Sequence, residues 1–191
     1  MGARRVWGRA GLGAVAAAGA LLLGAPAATP ASTATPYCGI RWGSLPKVSG
    51  SGYSLGTVDD VRSGRHACYD RLVVDIDSPR RAVSYDVRYV GSVHEDGSGR
   101  VVPLRGGADV QIVVRTPAYD EDYDPTYEPA DRRELVNTSG YSTFRQVAWA
   151  GSWEGQTTIG LGTRARLPMR VFVLDGPGDD ARLVIDVAHR W

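Results

Sequence analysis

From residue 57 to the C-terminus the chain is a succession of short segments rich in β-branched and aromatic residues. They run over 57–64, 70–77, 82–90, 108–116, 143–151, 155–163, 169–175 and 181–189, each closed off by Gly, Pro, Asp or Ser. Such segments read as strands and their boundaries as turns. No window sustains an apolar period of 3.6 residues. The best helical candidate, "YEPADRRELV" over 127–136, amounts to one or two turns. Many short strands without intervening helices predict an all-β fold, an antiparallel β-sandwich built as a single domain.

Two of these segments are nearly the same text: "RLVVDID" from Arg71 and "RLVIDVAH" from Arg182. Both alternate in the same phase, with Leu72, Val74 and Ile76 on one face of the first and Leu183, Ile185 and Val187 on one face of the second. The opposite faces carry Arg71, Val73 and Asp75, and Arg182, Val184 and Asp186. Within one copy Arg and Asp lie about 13 Å apart along the strand, too far to pair. Set antiparallel and in register, Arg71 would face Asp186 and Asp75 would face Arg182, giving two reciprocal ion pairs. The alternative is that the pattern is only what any strand with one buried face looks like.

The N-terminus reads as an export signal. Arg4, Arg5 and Arg9 precede the apolar run "AGLGAVAAAGALLLGA", and small residues follow at "APA" (25–27). The run is shorter than the roughly 20 residues a membrane span requires, and no cysteine follows it as a lipoprotein signal would need. Residues 1–27 are therefore expected to be a cleaved signal, 28–36 a flexible Pro/Thr/Ala leader and 37–191 the domain. In an exported chain two cysteines are expected to be bonded, here Cys38 to Cys68. A formal charge of +1 gives no footprint for nucleic acid. The basic residues are almost entirely arginine, with Lys47 the single lysine.

Taken together, "VDDVRSGRHACYDRLVVDID", "SYDVRYV", "EGQTTIGLGTRARLPMRVFVLDGP" and "RLVIDVAH" resemble the AMIN-like domain of secreted and lipoprotein chains of actinobacteria. That family is similar to the AMIN modules that carry cell-wall amidases and secretins to the envelope. The resemblance runs from about Val58 to the C-terminus. It implies a β-sandwich with some internal symmetry and a noncatalytic, envelope-associated role, with peptidoglycan as the ligand known for AMIN modules proper. The chain departs from those modules in having no amidase or secretin domain attached. Its two cysteines mark a disulfide-bearing variety whose ligand the resemblance does not supply.

Catalytic motifs are sparse. His66, His94 and His189 fall in turns or at a strand end, no G-x-S-x-G elbow is present, and nothing has the spacing of a zinc site. The acidic stretch "DEDYDPTYEPAD" places Asp120, Asp122, Asp124, Thr126, Glu128 and Asp131 at Ca²⁺-loop spacing. However, Pro125 stands where such a loop needs glycine, and Asp131 where it needs glutamate. The plainer reading is a solvated acidic hairpin tip, and no cofactor is expected. A wall glycan hydrolase would need paired carboxylates, for which Glu154 with Asp175 or Asp186 are the candidates.

Aromatic residues favour binding instead. Trp42, Trp149, Trp153 and Trp191 accompany nine tyrosines and two phenylalanines. Tyr and Trp offer flat apolar faces with a polar edge, on which sugar rings stack. Trp149 falls in an alternating strand and is expected to be buried. Trp153 falls in a turn and, with Glu154, Gln156 and Arg164, forms the expected contact set for a glycan or peptide; the arginine-rich strands suit carboxylates as well. The sequence thus predicts an exported, noncatalytic module that binds peptidoglycan, another wall component or an envelope protein. A small wall hydrolase and a Ca²⁺-dependent adhesion module are the alternatives.

Overall fold

The computed structural model describes residues 36–54 and 56–191. The export signal and all but the last residue of the leader lie outside the described residues. Eleven strands follow in order: β1 (Lys47–Ser49), β2 (Thr57–Arg65), β3 (Tyr69–Asp77), β4 (Tyr85–Val90), β5 (Val93–His94), β6 (Val101–Val102), β7 (Ala108–Val114), β8 (Phe144–Trp153), β9 (Gln156–Thr163), β10 (Met169–Asp175) and β11 (Ala181–Ala188). All eight anticipated strands are present. The three that were not anticipated are two or three residues long, too short to show alternation.

The strands form two antiparallel sheets, one of order β1-β4-β7-β9-β8 and one of order β10-β11-β3-β2, with β5 and β6 as a separate hairpin. Leu72, Val74, Ile76, Leu183, Ile185 and Val187 line the four-stranded sheet's inner face. Val87, Val110, Ile112, Val114, Ile159 and Leu161 join them from the other sheet in one continuous core. Period-2 alternation is what places every second side chain of a strand there.

The repeated segments are the adjacent central strands β3 and β11, and their register sets Arg71 opposite Asp186 and Asp75 opposite Arg182. Only the first expected ion pair forms. Arg71 donates from Nε to Asp186 Oδ1 at 2.6 Å and from Nη2 to Oδ2 at 2.9 Å. Asp75 is instead taken by Arg62 of β2, through Nε at 2.5 Å and Nη2 at 2.8 Å. Arg182 turns away to the carbonyl of Asp175. A central strand has neighbours on both sides, and Asp75 accepted the one the repeat does not include.

The expected helical turn over 127–136 is absent. Pro125 and Pro129 keep this stretch open, and Asp131 turns it through an Oδ1 bond from Arg133 N at 2.8 Å. The connection between β7 and β8 then runs along two sheet edges. Pro117 O accepts from Val58 N at 2.7 Å on the β2 side, and Arg132 O from Trp149 N at 2.7 Å on the β8 side. Thr126 Oγ1 donates to Val58 O at 2.9 Å. It is therefore more than a hairpin tip: it covers edges that would otherwise offer unpaired backbone.

The Cys38–Cys68 disulfide is present, with Cα atoms 6.5 Å apart. It holds the segment before β1 against the outer face of the four-stranded sheet, where Trp42 packs on Tyr69 at 5.9 Å between centroids. Behind it, buried Asp70 ties the sheets together. Its Oδ2 accepts from the backbone N–H groups of Thr143 and Phe144 at 2.5 and 3.2 Å, and its Oδ1 lies 3.1 Å from His189 Nε2.

Candidate functional site

The hairpin between β8 and β9 turns on Glu154 and Gly155, both with positive φ, 50° and 78°. Positive φ at both central residues is the type I′ arrangement that two-residue hairpins favour, and glycine meets it at no cost while glutamate does not. Aromatic side chains surround this turn. Trp153 lies over Gly97, where a Cβ would stand 3.6 Å from Trp153 Cγ, and Tyr53 lies against Gly155, where a Cβ would be 3.2 Å from its ring. Gly155 N–H donates to Tyr119 Oη at 2.9 Å, and Tyr119 stacks on Tyr123 with centroids 5.5 Å apart. Trp153, Tyr53 and Tyr123 are 58%, 57% and 80% exposed, large apolar faces presented to water.

Beyond Tyr119 the surface sinks into a pocket of about 290 Å³ lined by Tyr119, Tyr123, Tyr127, Glu128, Arg132 and Trp149. Tyr127 tilts against Trp149 at 5.4 Å. Burial, helped by the charge of Asp60, pushes the Tyr127 hydroxyl up to about 12, so it stays a neutral donor and acceptor. Aromatic walls with one acid and one base at the rim are the composition of a small-ligand site. On the other flank Gln156 Nε2 donates to Asp96 Oδ1 at 3.4 Å. Burial raises Asp96 above the usual carboxylate range, opposed only in part by its polar neighbours Thr158 and Gln156.

Of the four residues expected to form a contact set, the fold gathers three: Trp153, Glu154 and Gln156. Arg164 does not join them. It follows the far end of β9, eight residues and about 26 Å from Gln156, where its guanidinium donates to the carbonyls of Ser142 and His189. Adjacency in a strand's text is separation in space. Trp149 is buried, as its alternation implies.

The acidic stretch does not assemble as a ligand shell. Asp120 Oδ1 accepts from the N–H groups of Asp122 and Asp124 at 3.0 and 2.9 Å. Thr126 is bound to β2, and Asp131 closes its own turn at 2.8 Å. Glu128 lines the aromatic pocket instead. Among the described residues no three acidic, histidine or cysteine side chains are placed to share a metal ion. The carboxylates considered for glycoside cleavage stand on different sheets. Glu154 belongs to the five-stranded sheet's hairpin, whereas Asp175 and Asp186 lie on β10 and β11 of the other sheet. Asp186, fully buried, is held by Arg71 and by Arg170 Nε at 2.7 Å.

Tyr53, Tyr119, Tyr123 and Tyr127 were missed. Three of them recur every fourth residue through "AYDEDYDPTY", a regularity that reading the stretch for its oxygen ligands overlooks. Tyr53 had no local signal, since only the fold brings it to the β8–β9 turn. A family model, the AMIN-like domain, matches residues 56–189. No curated protein and no solved structure matches the chain.

Proposed function

The chain belongs to the AMIN-like domain family, modules associated with the cell wall and usually extracytoplasmic, and from this we propose that it is an exported, noncatalytic module that binds a wall glycan through the aromatic end of its sandwich. The observation that carries the reading is the exposure of Tyr53, Tyr123 and Trp153 at the β8–β9 end of the sandwich. Flat faces with polar edges match the alternating apolar and hydroxyl-bearing surfaces of sugar rings. Glu154, Gln156, Glu128 and Arg132 stand beside these faces as hydrogen-bonding groups that would select among sugars. The commitment of buried Asp186 to Arg71 and Arg170 favours binding over cleavage.

The test is co-sedimentation with purified peptidoglycan sacculi, with Trp153→Ala and Tyr123→Ala run beside the parent chain. Each variant is expected to weaken binding by about tenfold or more, as aromatic anchors of interfaces do. Glu154→Gln is expected to stay folded, and no reducing ends should appear with either protein. Pelleting unaffected by both aromatic variants would discard this surface. Failure to pellet at low salt would discard peptidoglycan in favour of a protein partner.

A further inference from the structure

The outer face of the four-stranded sheet carries more positive charge than its own ion pairs consume. Register lines up its outward positions in rows: Leu174, Arg182 and Asp75, then Phe172, Val184, Val73 and Arg62, then Arg170, Asp186, Arg71 and Gly64. Asp186 holds Arg71 and Arg170, and Asp75 holds Arg62. Arg182 stands opposite Asp75 yet takes no carboxylate. Its Nε and Nη2 donate to the Asp175 carbonyl at 3.1 and 2.5 Å, while the Asp175 carboxylate lies 3.7 Å from Arg80. The next acid by register is Asp60 of β2, which accepts from Val61 N–H at 2.8 Å. Even with Asp60 counted, four arginines meet three aspartates, and Arg182 is the one left over.

Between these rows opens a pocket of about 270 Å³ lined by Arg62, His66, Arg71, Leu174 and Arg182, with Val73 and Val184 beneath. Among the described residues no acid lines it. Arg62, Arg71 and Arg182 each spend Nε and Nη2 on the partners just named. Each Nη1 is left without a hydrogen bond among the described residues, as are both ring nitrogens of His66, whose plane is stacked on Tyr69 at 4.5 Å between centroids. Val73 and Val184 are buried, so the cations stand over an apolar floor instead of water, and a cleft of one sign on such a floor concentrates its field.

We propose that this pocket binds the terminal carboxylate of a short peptide, with Arg182 as its principal partner and Arg62, Arg71 and His66 as further donors. One uncompensated cation calls for one negative charge, and the planar fork of a guanidinium matches the edge of a carboxylate. A carboxylate ends the molecule that carries it and so enters a pocket of this size. A phosphodiester, equally charged, must lead its chain out on two sides. Leu174, 37% exposed at the rim, suits a small apolar side chain next to that carboxylate. The pocket is on the opposite sheet from the β8–β9 hairpin, and the inference is independent of the glycan reading.

The test is an NMR titration of the full chain with N-acetylated dialanine, with its C-terminal amide and with dimethyl phosphate. The free acid is expected to shift the backbone amides of residues 62–66 and 182–184, and the amide to leave them in place. Arg182→Gln should weaken binding of the acid at least tenfold and stay folded, since this side chain holds only a carbonyl. Arg182→Lys keeps the charge without the fork and should fall between the two. Leu174→Glu, at an exposed position, sets a resident carboxylate at the rim and should also weaken binding. Trp153→Ala should leave the titration unchanged, which separates this pocket from the glycan surface. Four results would overturn the proposal: no shift up to tens of millimolar acid, equal binding of acid and amide, tighter binding of dimethyl phosphate, or parental binding by Arg182→Gln or Leu174→Glu.

Discussion

Arg71 of β3 and Asp186 of β11 stand directly opposite one another and share two hydrogen bonds, at 2.6 and 2.9 Å, across 115 residues of chain. Arg170 reaches the same carboxylate from β10. The two guanidiniums lie over the Tyr69 and Phe172 rings at 5.0–5.6 Å. One buried acid thus holds three strands of the four-stranded sheet in register, and the rings make up part of the hydration its arginines lose.

Asp186→Ala should therefore be costly. It leaves two arginines facing an uncharged site, and breaking a buried pair costs about 3 kcal/mol or more. Arg62→Ala, which breaks the exposed pair with Asp75, should cost less than about 1 kcal/mol. Urea denaturation of both variants against the parent checks the contrast, and equal losses would contradict it.

Reducing the disulfide removes a loop constraint of 30 residues, worth about 3–4 kcal/mol in the chain-entropy picture. Its structural effect should be local. The segment carrying Trp42 and Gly43 would loosen, and the Met169 N–H would lose its protection. Calorimetry with and without reductant, and amide exchange at Met169, report the two effects separately.

Asp96 gives a pH signature. Its pKa in the folded protein is raised by burial, so the folded state holds this proton more tightly than the unfolded chain does. That contribution is fully present below the unfolded value of about 3.9 and is lost as pH rises through the folded value. Asp96→Asn should accordingly melt at a higher temperature than the parent at pH 7. The gap should close as pH falls toward about 4. A gap that is constant with pH would show that the charge is not responsible.

Glu154 occupies a φ of 50° that glutamate adopts with strain. Glu154→Asn should relieve it, stabilising the fold by about 0.5–1 kcal/mol. If the carboxylate contacts the glycan, the same variant should bind sacculi more weakly. A gain in melting temperature with a loss of binding would separate the turn's geometry from its chemistry.

The β strands and their buried faces were legible because alternation is written locally: Leu72, Val74 and Ile76 face inward for a reason contained in seven residues. The pairing of Arg71 with Asp186 was legible as well, since a repeated pattern laid antiparallel has one self-consistent register. Which aromatic residues would be exposed was half legible. Trp153 announced itself by lying in a turn, while Tyr53 reaches the same turn from a different part of the chain.

By itself, then, the sequence determined the eight longer strands, their inner faces, the disulfide and the family, which follow from short-range pattern, from a count of two cysteines and from likeness of text. Only the tertiary structure decided that Asp75 belongs to Arg62, that Arg164 stands a strand's length from Trp153 and that the acidic residues do not converge. These depend on which groups of distant segments the fold brings within hydrogen-bonding range. A charged side chain takes the partner that geometry brings nearest, and no local pattern records that choice.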